Sequence, residues 1–291
     1  MQMQVLTGAM DPAMQDSIRQ ALEIQFGLDG SLFQQYLSFL YNGLLRFDFG
    51  PSLMNFPTPA RDIIMRQLPY TLFLSLVTTI LAWIIGNLIG LYAGFKKGKK
   101  SASLLELSAI CIYPIPYFIV ALVLQIVFAF GLGWFPLQAN ILFHGGTWMW
   151  FTSLIRSSIL PALSILLIGI GWWILSMKAL ASSIASEDFV MYARYRGIKE
   201  SKIAGKYVFR NSMLTQVTAL ALALGGVFSG TLMAEIIFGY PGVGTLVQQA
   251  VLRADYNMIL GTVTMSVVAI SVSTLLVDLL YPFFDPRIRY S

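Results

Sequence analysis

The chain has 291 residues, of which 57% are hydrophobic and 11% charged. With a mean hydropathy of +0.72, this composition excludes an ordinary soluble protein, because a water-facing surface could not cover so much apolar material. The net charge of +5 comes from basic residues beside apolar runs, the distribution that membrane topology produces, so nucleic acid binding is not indicated.

The chain opens with a mostly polar segment, residues 1–70, whose start lacks the apolar run of a signal peptide. Five apolar windows follow, and each is long enough for the roughly 20 residues that a helix needs to cross a bilayer. We therefore predict an all-α integral membrane protein with five transmembrane helices. The predicted spans are Thr71–Phe95, Leu104–Leu132, Ile159–Leu180, Met213–Phe238 and Met258–Phe284.

The connections between the spans are alternately rich and poor in Lys and Arg. This alternation predicts the orientation of the spans. The connections after the first, third and fifth spans are rich in these residues, whereas residues 133–158 and 239–257 carry one each, Arg156 and Arg253. Because basic residues accumulate on the cytoplasmic side, we predict a multi-pass protein with its C-terminus in the cytoplasm. Residues 1–70 are then an extracytoplasmic segment.

That orientation requires a long polar segment to cross the membrane. Either the following helix carries it across as a reverse anchor, or the given start is internal and one N-terminal helix is absent. We expect the second arrangement.

Two further features belong to the second span and the connection that follows it. Pro114 and Pro116 predict a kink, because proline removes a helix hydrogen bond and clashes with the preceding turn. In the outside connection, residues 141–155 are predicted to form a short helix in the membrane interface. Indole rings favour the headgroup level, and three tryptophans lie in this connection: Trp134, Trp148 and Trp150.

The cytoplasmic connection from Glu187 to Asn211 is basic and has a glycine near its centre. Its acidic start and basic continuation suit the two ends of a short helix, and Gly197 stands where a helix stop needs positive φ. A second short helix with an imperfect amphipathic pattern follows. Such a pair is typical either of docking into a groove on a partner protein or of a basic helix on anionic lipid headgroups.

A resemblance to a known family favours the partner protein. Tyr192–Ile198, followed by Arg210–Leu214, resembles the cytoplasmic EAA loop of ABC-importer permeases, in the form carried by the dipeptide, oligopeptide and nickel branch. The similarity runs from about Asp11 to the end of the chain. Its other matching segments are Phe26–Asp29, Gln35-Tyr36, Asp48–Leu53, Gly230–Phe238, Tyr240–Leu246, Asp255-Tyr256, Leu276–Tyr281 and Asp285–Arg289.

The chain departs from the family pattern at two points. Thr215 stands where the branch usually has the proline of a Leu-Pro pair, which can alter how the fourth span begins. The branch also has a six-helix permease fold whose first membrane helix precedes the outside segment, and that helix has no counterpart here. This difference supports the expectation of a missing first helix.

The resemblance implies a transmembrane permease domain, residues 71–291, in a prokaryotic plasma membrane, with a coupling loop at residues 187–211. It also implies that the loop seats in a cleft of a cytoplasmic ATPase, so that ATP-driven closure of two ATPases moves the spans. The expected partners are a second homologous permease subunit, two ATPases, an extracytoplasmic binding protein and membrane lipid. The candidate coupling residues are Glu187, Asp188, Tyr192, Ala193, Arg194, Arg196, Gly197 and Lys199.

Ala193 and Gly197 lie four residues apart, so on one helix they would share a face with a small surface for close approach. Tyr192, Arg194 and Arg196 are expected to anchor the partner. Possible pore or gate residues are Glu235, Gly226 and Gly230, although capping or helix packing is the first interpretation for Glu235. A similar structural role is expected for Asp278 near the inner end of the fifth span.

The chain is expected to be a non-catalytic subunit that binds no cofactor, with ATP and Mg on the partner ATPases. Residues 94–101, GFKKGKKS, have the wrong spacing for a phosphate-binding loop and end a membrane span. One histidine and one cysteine argue against a multi-histidine metal site and against haem or iron–sulfur ligation.

Peptides are the expected substrate, with oligosaccharides or nickel as alternatives within the same kind of machine. An ion-coupled carrier or channel is the alternative from another class. Such proteins usually carry ionisable residues in the middle of their spans, and these spans have few.

Overall fold

The structure is a computed structural model that describes residues 30–142, 146–225 and 231–284, and within these ranges all regular structure is helical apart from one isolated β-bridge between Pro51 and Pro59. The helices are α1 Leu32–Phe39, α2 Ala60–Phe95, α3 Lys100–Ile112, α4 Tyr117–Leu124, α5 Gly146–Ala185, α6 Asp188–Tyr195, α7 Glu200–Lys202, α8 Arg210–Gly225, α9 Leu232–Phe238, α10 Val243–Leu252 and α11 Tyr256–Phe284. Three π-helical segments extend α1, α4 and α7: Leu40–Leu45, Gln125–Gly131 and Ile203–Phe209.

Two helices of the described chain, α2 and α5, are long and apolar enough to cross a membrane. The predicted kink of the second span is confirmed, because the helices before and after the Pro114/Pro116 segment are bent by 95°. Pro116 directly precedes α4, where its missing N–H costs no helix hydrogen bond. If this bent pair forms one span, the length and composition of the described helices support up to three membrane spans.

The other two predicted spans are less complete. The fourth corresponds to α8 and α9 on either side of residues 226–230, which lie outside the described residues. The fifth coincides with α11. The described apolar part of this helix, Tyr256–Val272, is too short to count as a membrane span by itself. Five spans therefore stay a prediction.

The connection before α5, which was predicted to lie outside, differs from its prediction. Residues 146–155 do not form a separate short interfacial helix, because they are the first turns of the 40-residue α5. This helix also contains Pro161. The apolar run alone did not show that helical structure starts this far before the predicted span.

Three glycines on one face of α2 bring its backbone against α5. Gly86, Gly90 and Gly94 are four residues apart, which places them in line along the helix. A Cβ atom on Gly90 would lie 2.6 Å from the carbonyl oxygen of Ile174, and one on Gly94 would lie 2.6 Å from that of Lys178. Small residues at this spacing let membrane helices pack with their backbones in contact.

The chain divides into two compact units, one comprising residues up to 68 with 246–268 and the other residues 69–245 with 269 onwards. In the first unit the buried core consists of Phe49, Ala60, Ile64, Leu246, Ala250 and Met258. The sequence did not predict that residues 246–268 join the N-terminal segment. The second unit contains the α2–α5 contact and the predicted coupling loop, residues 187–211.

Candidate coupling loop and buried polar groups

The first half of the predicted cytoplasmic loop, residues 187–211, has the predicted form. Helix α6 begins after Glu187, carries Asp188 in its first turn and Arg194 in its last. Gly197 follows the helix with a φ of +71°, and its N–H donates to the carbonyl oxygen of Arg194 at 2.9 Å. The predicted helix stop at Gly197 is therefore confirmed, and it depends on the left-handed conformation that glycine adopts at low cost.

The second half of the loop is not the separate short helix that the sequence predicted. A helical run begins at Glu200, passes through the π-helical segment Ile203–Phe209 and continues as α8 to Gly225. The loop is thus continuous with the fourth predicted span. No segment of irregular backbone separates its second half from that span.

The inner face of the loop packs on the ends of two long helices. Val190 and Ala193 of α6 and Ile203 and Val208 of the π-helical segment are buried together with Ala181 near the end of α5. Leu91 and Phe95 at the end of α2 pack against this cluster. Burying one aliphatic side chain of this size is worth about 1.5–3 kcal/mol, so the loop is held firmly against the helix ends.

The packing corrects one expectation about the coupling residues. Ala193 is only 4% exposed because it faces the chain's own core, and Gly197 lies beyond the end of α6. The two residues therefore do not present a shared small surface to a partner. Arg194 is also engaged within the chain, since its Nε donates to Glu200 Oε1 at 3.2 Å and its guanidinium lies 5.7 Å from the centre of the Phe95 ring.

The outer face of the loop is aromatic and charged. Tyr192 and Tyr195 are 67% and 78% exposed, and the candidate residues Arg196 and Lys199 are exposed beside them. Glu187 and Asp188 are exposed at the start of α6. Sequence reasoning did not select Tyr195 as a coupling residue, although its neighbour Tyr192 was selected. Exposed tyrosines beside arginine are typical of protein interfaces.

Glu235 is fully buried in α9, where it stabilises the start of another helix. Its carboxylate accepts hydrogen bonds from Thr231 Oγ1 at 3.0 Å and from the backbone N–H of Gly244 at 2.6 Å. Gly244 lies in the first turn of α10, and the adjacent Val243 N–H donates to Thr71 Oγ1 at 2.8 Å. A carboxylate at this position satisfies N–H groups that have no partner within the helix.

The glycines of the following turn make room for this carboxylate. A Cβ atom on Gly242 would overlap the Glu235 carboxyl group, and one on Gly244 would lie 2.7 Å from Glu235 Oε2. The geometry supports the capping interpretation of Glu235 and not a group that faces open space. Gly226 and Gly230, the other possible gate residues, lie outside the described residues, as does the side chain of Asp278.

Two polar contacts between helices were not predicted from the sequence, one made by the partly buried pair Lys178 and Glu106 and one by the buried Gln216. Lys178 in the last turns of α5 pairs with Glu106 of α3. The available signal in the sequence was a Glu and a Lys at the edges of apolar runs. Gln216 of α8 donates from Nε2 to Ser176 Oγ at 2.9 Å and accepts the Trp83 indole N–H on its backbone oxygen at 3.0 Å. This second contact joins α2, α5 and α8.

Asp255 joins two segments of the first unit that are far apart in sequence. Its Oδ2 accepts hydrogen bonds from Ser52 Oγ at 2.6 Å and from the Met54 N–H at 3.0 Å. Its Oδ1 accepts the Met258 N–H at 3.1 Å in the first turn of α11. Both segments resemble the family pattern, but the sequence did not indicate that they contact each other.

Comparisons with known proteins agree with the apolar helices of a membrane protein. Residues 86–290 match the family described as the inner membrane component of binding-protein-dependent transport systems. The oligopeptide transport system permease protein AppB of Bacillus subtilis (strain 168) is 30% identical over 290 residues, covering 98% of this chain and 89% of that protein.

Two further relatives align with this chain over most of its length. The oligopeptide permease protein OppB of Haemophilus influenzae is 28% identical over 269 residues, covering 92% of this chain and 84% of its own. The dipeptide permease protein DppB of Bacillus subtilis (strain 168) is 28% identical over 278 residues, covering 94% and 85%. The resemblance inferred from the motifs is confirmed.

Proposed function

Because the chain belongs to the family of inner membrane components of binding-protein-dependent transport systems, we propose that it forms half of the pore of an ATP-driven importer. A second homologous permease subunit forms the other half. Two ATPase subunits, which bind ATP and Mg, and an extracytoplasmic binding protein complete the complex. This chain supplies no catalytic residue in that scheme.

The main support for the coupling role is that the two faces of the cytoplasmic loop differ. Its inner face is buried against the ends of α2 and α5, and its outer face exposes Tyr192 and Tyr195. Tyrosine and arginine are enriched among the residues that dominate binding energy at protein interfaces. The outer face is therefore the part of the loop that suits a cleft on an ATPase.

This construction supports a rigid-body mode of coupling. When the ATPases displace α6, the buried cluster moves the ends of α2 and α5 with it, and the continuous helical run from Glu200 moves α8. Packed interfaces of this kind shift as units because close-packed cores resist continuous deformation. Contact with the ATPase involves Glu187, Asp188, Tyr192, Tyr195, Arg196, Gly197 and Lys199, whereas Ala193 and Arg194 hold the loop in place.

The topology and the substrate belong to the same proposal. The five spans are α2, the bent α3–α4 pair, α5, α8 with α9, and α11, with the C-terminus in the cytoplasm as the basic connections predict. The relatives named above are oligopeptide and dipeptide permease proteins. Peptide is therefore the substrate class that we propose for this chain.

ATP hydrolysis by the complete complex in lipid tests the proposal. The complex is assayed with and without the binding protein loaded with peptide, for wild type, for the double variant Tyr192→Ala/Tyr195→Ala, and for Tyr256→Ala. Tyr256 is 68% exposed in the predicted outside connection and serves as the matched control.

The double variant is expected to lose both stimulation and co-purification of the ATPases, because one interface hot spot is worth about 2 kcal/mol, or roughly 30-fold in affinity. The Tyr256→Ala variant is expected to behave as wild type. Normal stimulation in the double variant contradicts the assigned coupling surface. Stimulation by oligosaccharide and not by peptide contradicts the substrate class, and transport that follows an ion gradient without ATPases contradicts the importer.

A further inference from the structure

A cavity of about 530 Å³ lies between the first turns of α5 and the preceding outside connection. One wall consists of Met149, Thr152, Ser153 and Arg156, which share a face of α5 by their spacing. The opposite wall includes Phe135 and Leu142. Its walls are about equally polar and apolar, and the volume is within the range of small-ligand sites.

The position of Arg156 along α5 places the cavity at one edge of the hydrocarbon layer. Residues 157–177 of α5 contain no charged side chain, and Lys178 lies at their other end beside the cytoplasmic loop. At 1.5 Å per residue, the 22 steps from Arg156 to Lys178 span about 33 Å, close to the roughly 30 Å thickness of a bilayer core. Arg156 therefore lies at the level of the outer phospholipid headgroups.

The surroundings of the cavity also suit the membrane interface. Trp148 and Trp134 are 76% and 60% exposed, and both are close in sequence to the lining residues. Aromatic rings of this type concentrate at the headgroup level. Two exposed indoles beside the lining residues are therefore consistent with a cavity at the level of the headgroups.

The charge of the cavity favours an anionic ligand. Residues 133–158 contain no Asp or Glu, and no ion pair to Arg156 occurs among the described residues. The guanidinium donates one hydrogen bond, from Nη2 to the Trp134 carbonyl oxygen at 3.3 Å, out of five available N–H donors.

The nearby hydroxyl groups are occupied within the walls. Ser153 Oγ accepts the Leu142 N–H at 3.0 Å and donates to the Trp150 carbonyl oxygen at 2.8 Å. Ser157 Oγ accepts the Asn140 N–H at 3.1 Å. These contacts hold the outside connection against α5 and leave Arg156 as the charged group of the cavity.

We propose that this cavity binds the phosphate of an outer-leaflet phospholipid. Arg156 pairs with the phosphate oxygens, for which the planar guanidinium is well matched. The glycerol and first acyl carbons lie against Leu142 and Met149. The bound lipid anchors the outer end of α5 at the headgroup level, independently of the coupling role proposed for the cytoplasmic loop.

Native mass spectrometry of the intact complex with added phosphatidylglycerol tests this site. Wild type is compared with Arg156→Gln, Arg156→Lys and the matched control Arg253→Gln, which removes the basic residue of the other outside connection. Loss of the phosphate contact is expected to weaken one lipid-binding step about tenfold in Arg156→Gln, the effect of one charge-assisted hydrogen bond. Arg156→Lys is expected to retain part of the binding, and Arg253→Gln all of it.

Three outcomes overturn the proposal. Equal lipid retention in Arg156→Gln and Arg253→Gln removes the assigned contact. Binding of inorganic phosphate that depends on Arg156, without any change in retained lipid, shows a soluble anion site. Cross-linking to the binding protein that is lost in Arg156→Gln while lipid binding is unchanged shows a protein contact instead. Basal ATP hydrolysis and size-exclusion profiles of each variant verify that the complex is assembled.

Discussion

Replacement of Gly90 by alanine tests the backbone contact between α2 and α5. The new Cβ would lie 2.6 Å from the Ile174 carbonyl oxygen and 2.8 Å from Met177 Cβ. The first distance is roughly 0.9 Å shorter than the about 3.5 Å at which nonbonded contact becomes favourable. The helices must separate, since the nearest atom belongs to the backbone and cannot rotate away.

The expected effect is the difference between two opposing terms. Overpacking typically costs about 1–3 kcal/mol, and alanine gains about 1 kcal/mol over glycine within a helix. The net change is a loss of up to about 2 kcal/mol, or roughly 4–8 °C in the thermal midpoint for a domain of this size. Gly90→Leu is expected to be more destabilised, because its branched side chain cannot fit between the helices.

Thermal unfolding of the purified protein in detergent measures this effect. Gly205→Ala is the matched control, because a Cβ atom at this helical glycine meets no atom within 4 Å. It is expected to be neutral or slightly stabilising. If neither Gly90→Ala nor Gly90→Leu unfolds at a lower temperature than Gly205→Ala, the contact inferred between α2 and α5 is refuted.

Three further substitutions test the loop and the buried carboxylates. Gly197→Val is expected to cost about 1–2 kcal/mol, because valine is strained at positive φ, and to reduce the ATP hydrolysis that loaded binding protein stimulates. Asparagine tolerates this conformation, so Gly197→Asn is expected to retain more of the stimulated activity. Equal activities of the two variants would contradict a conformational role for Gly197. Glu235→Ala leaves the Gly244 N–H without its acceptor and is expected to lower the thermal midpoint by the equivalent of about 1–3 kcal/mol, an effect that an unchanged midpoint would exclude. Asp255→Ala removes the acceptor of Ser52, and limited proteolysis of residues 48–58 is expected to accelerate; an unchanged cleavage rate would show that this contact does not hold the segment.

Much of the candidate coupling loop could be predicted from local sequence. The acidic start of α6 and the left-handed glycine after it follow from the electrostatics and backbone freedom of a single helix end. Whether the Ala193 side chain faces the core or the solvent could not be predicted in the same way. Its burial depends on the positions of α2 and α5, which lie far from it along the chain.

The sequence by itself determined the helical membrane class and the bend beside Pro116, because apolar run length and proline geometry act within a few residues of the chain. It also determined the family, through motifs that are specific in combination. Only the tertiary structure decided that the Glu235 carboxylate caps α10, that Asp255 accepts a hydrogen bond from Ser52, 203 residues away, and that the glycines of α2 contact α5. These arrangements depend on which faces of distant segments meet, and periodicity within one segment carries no information about its partner.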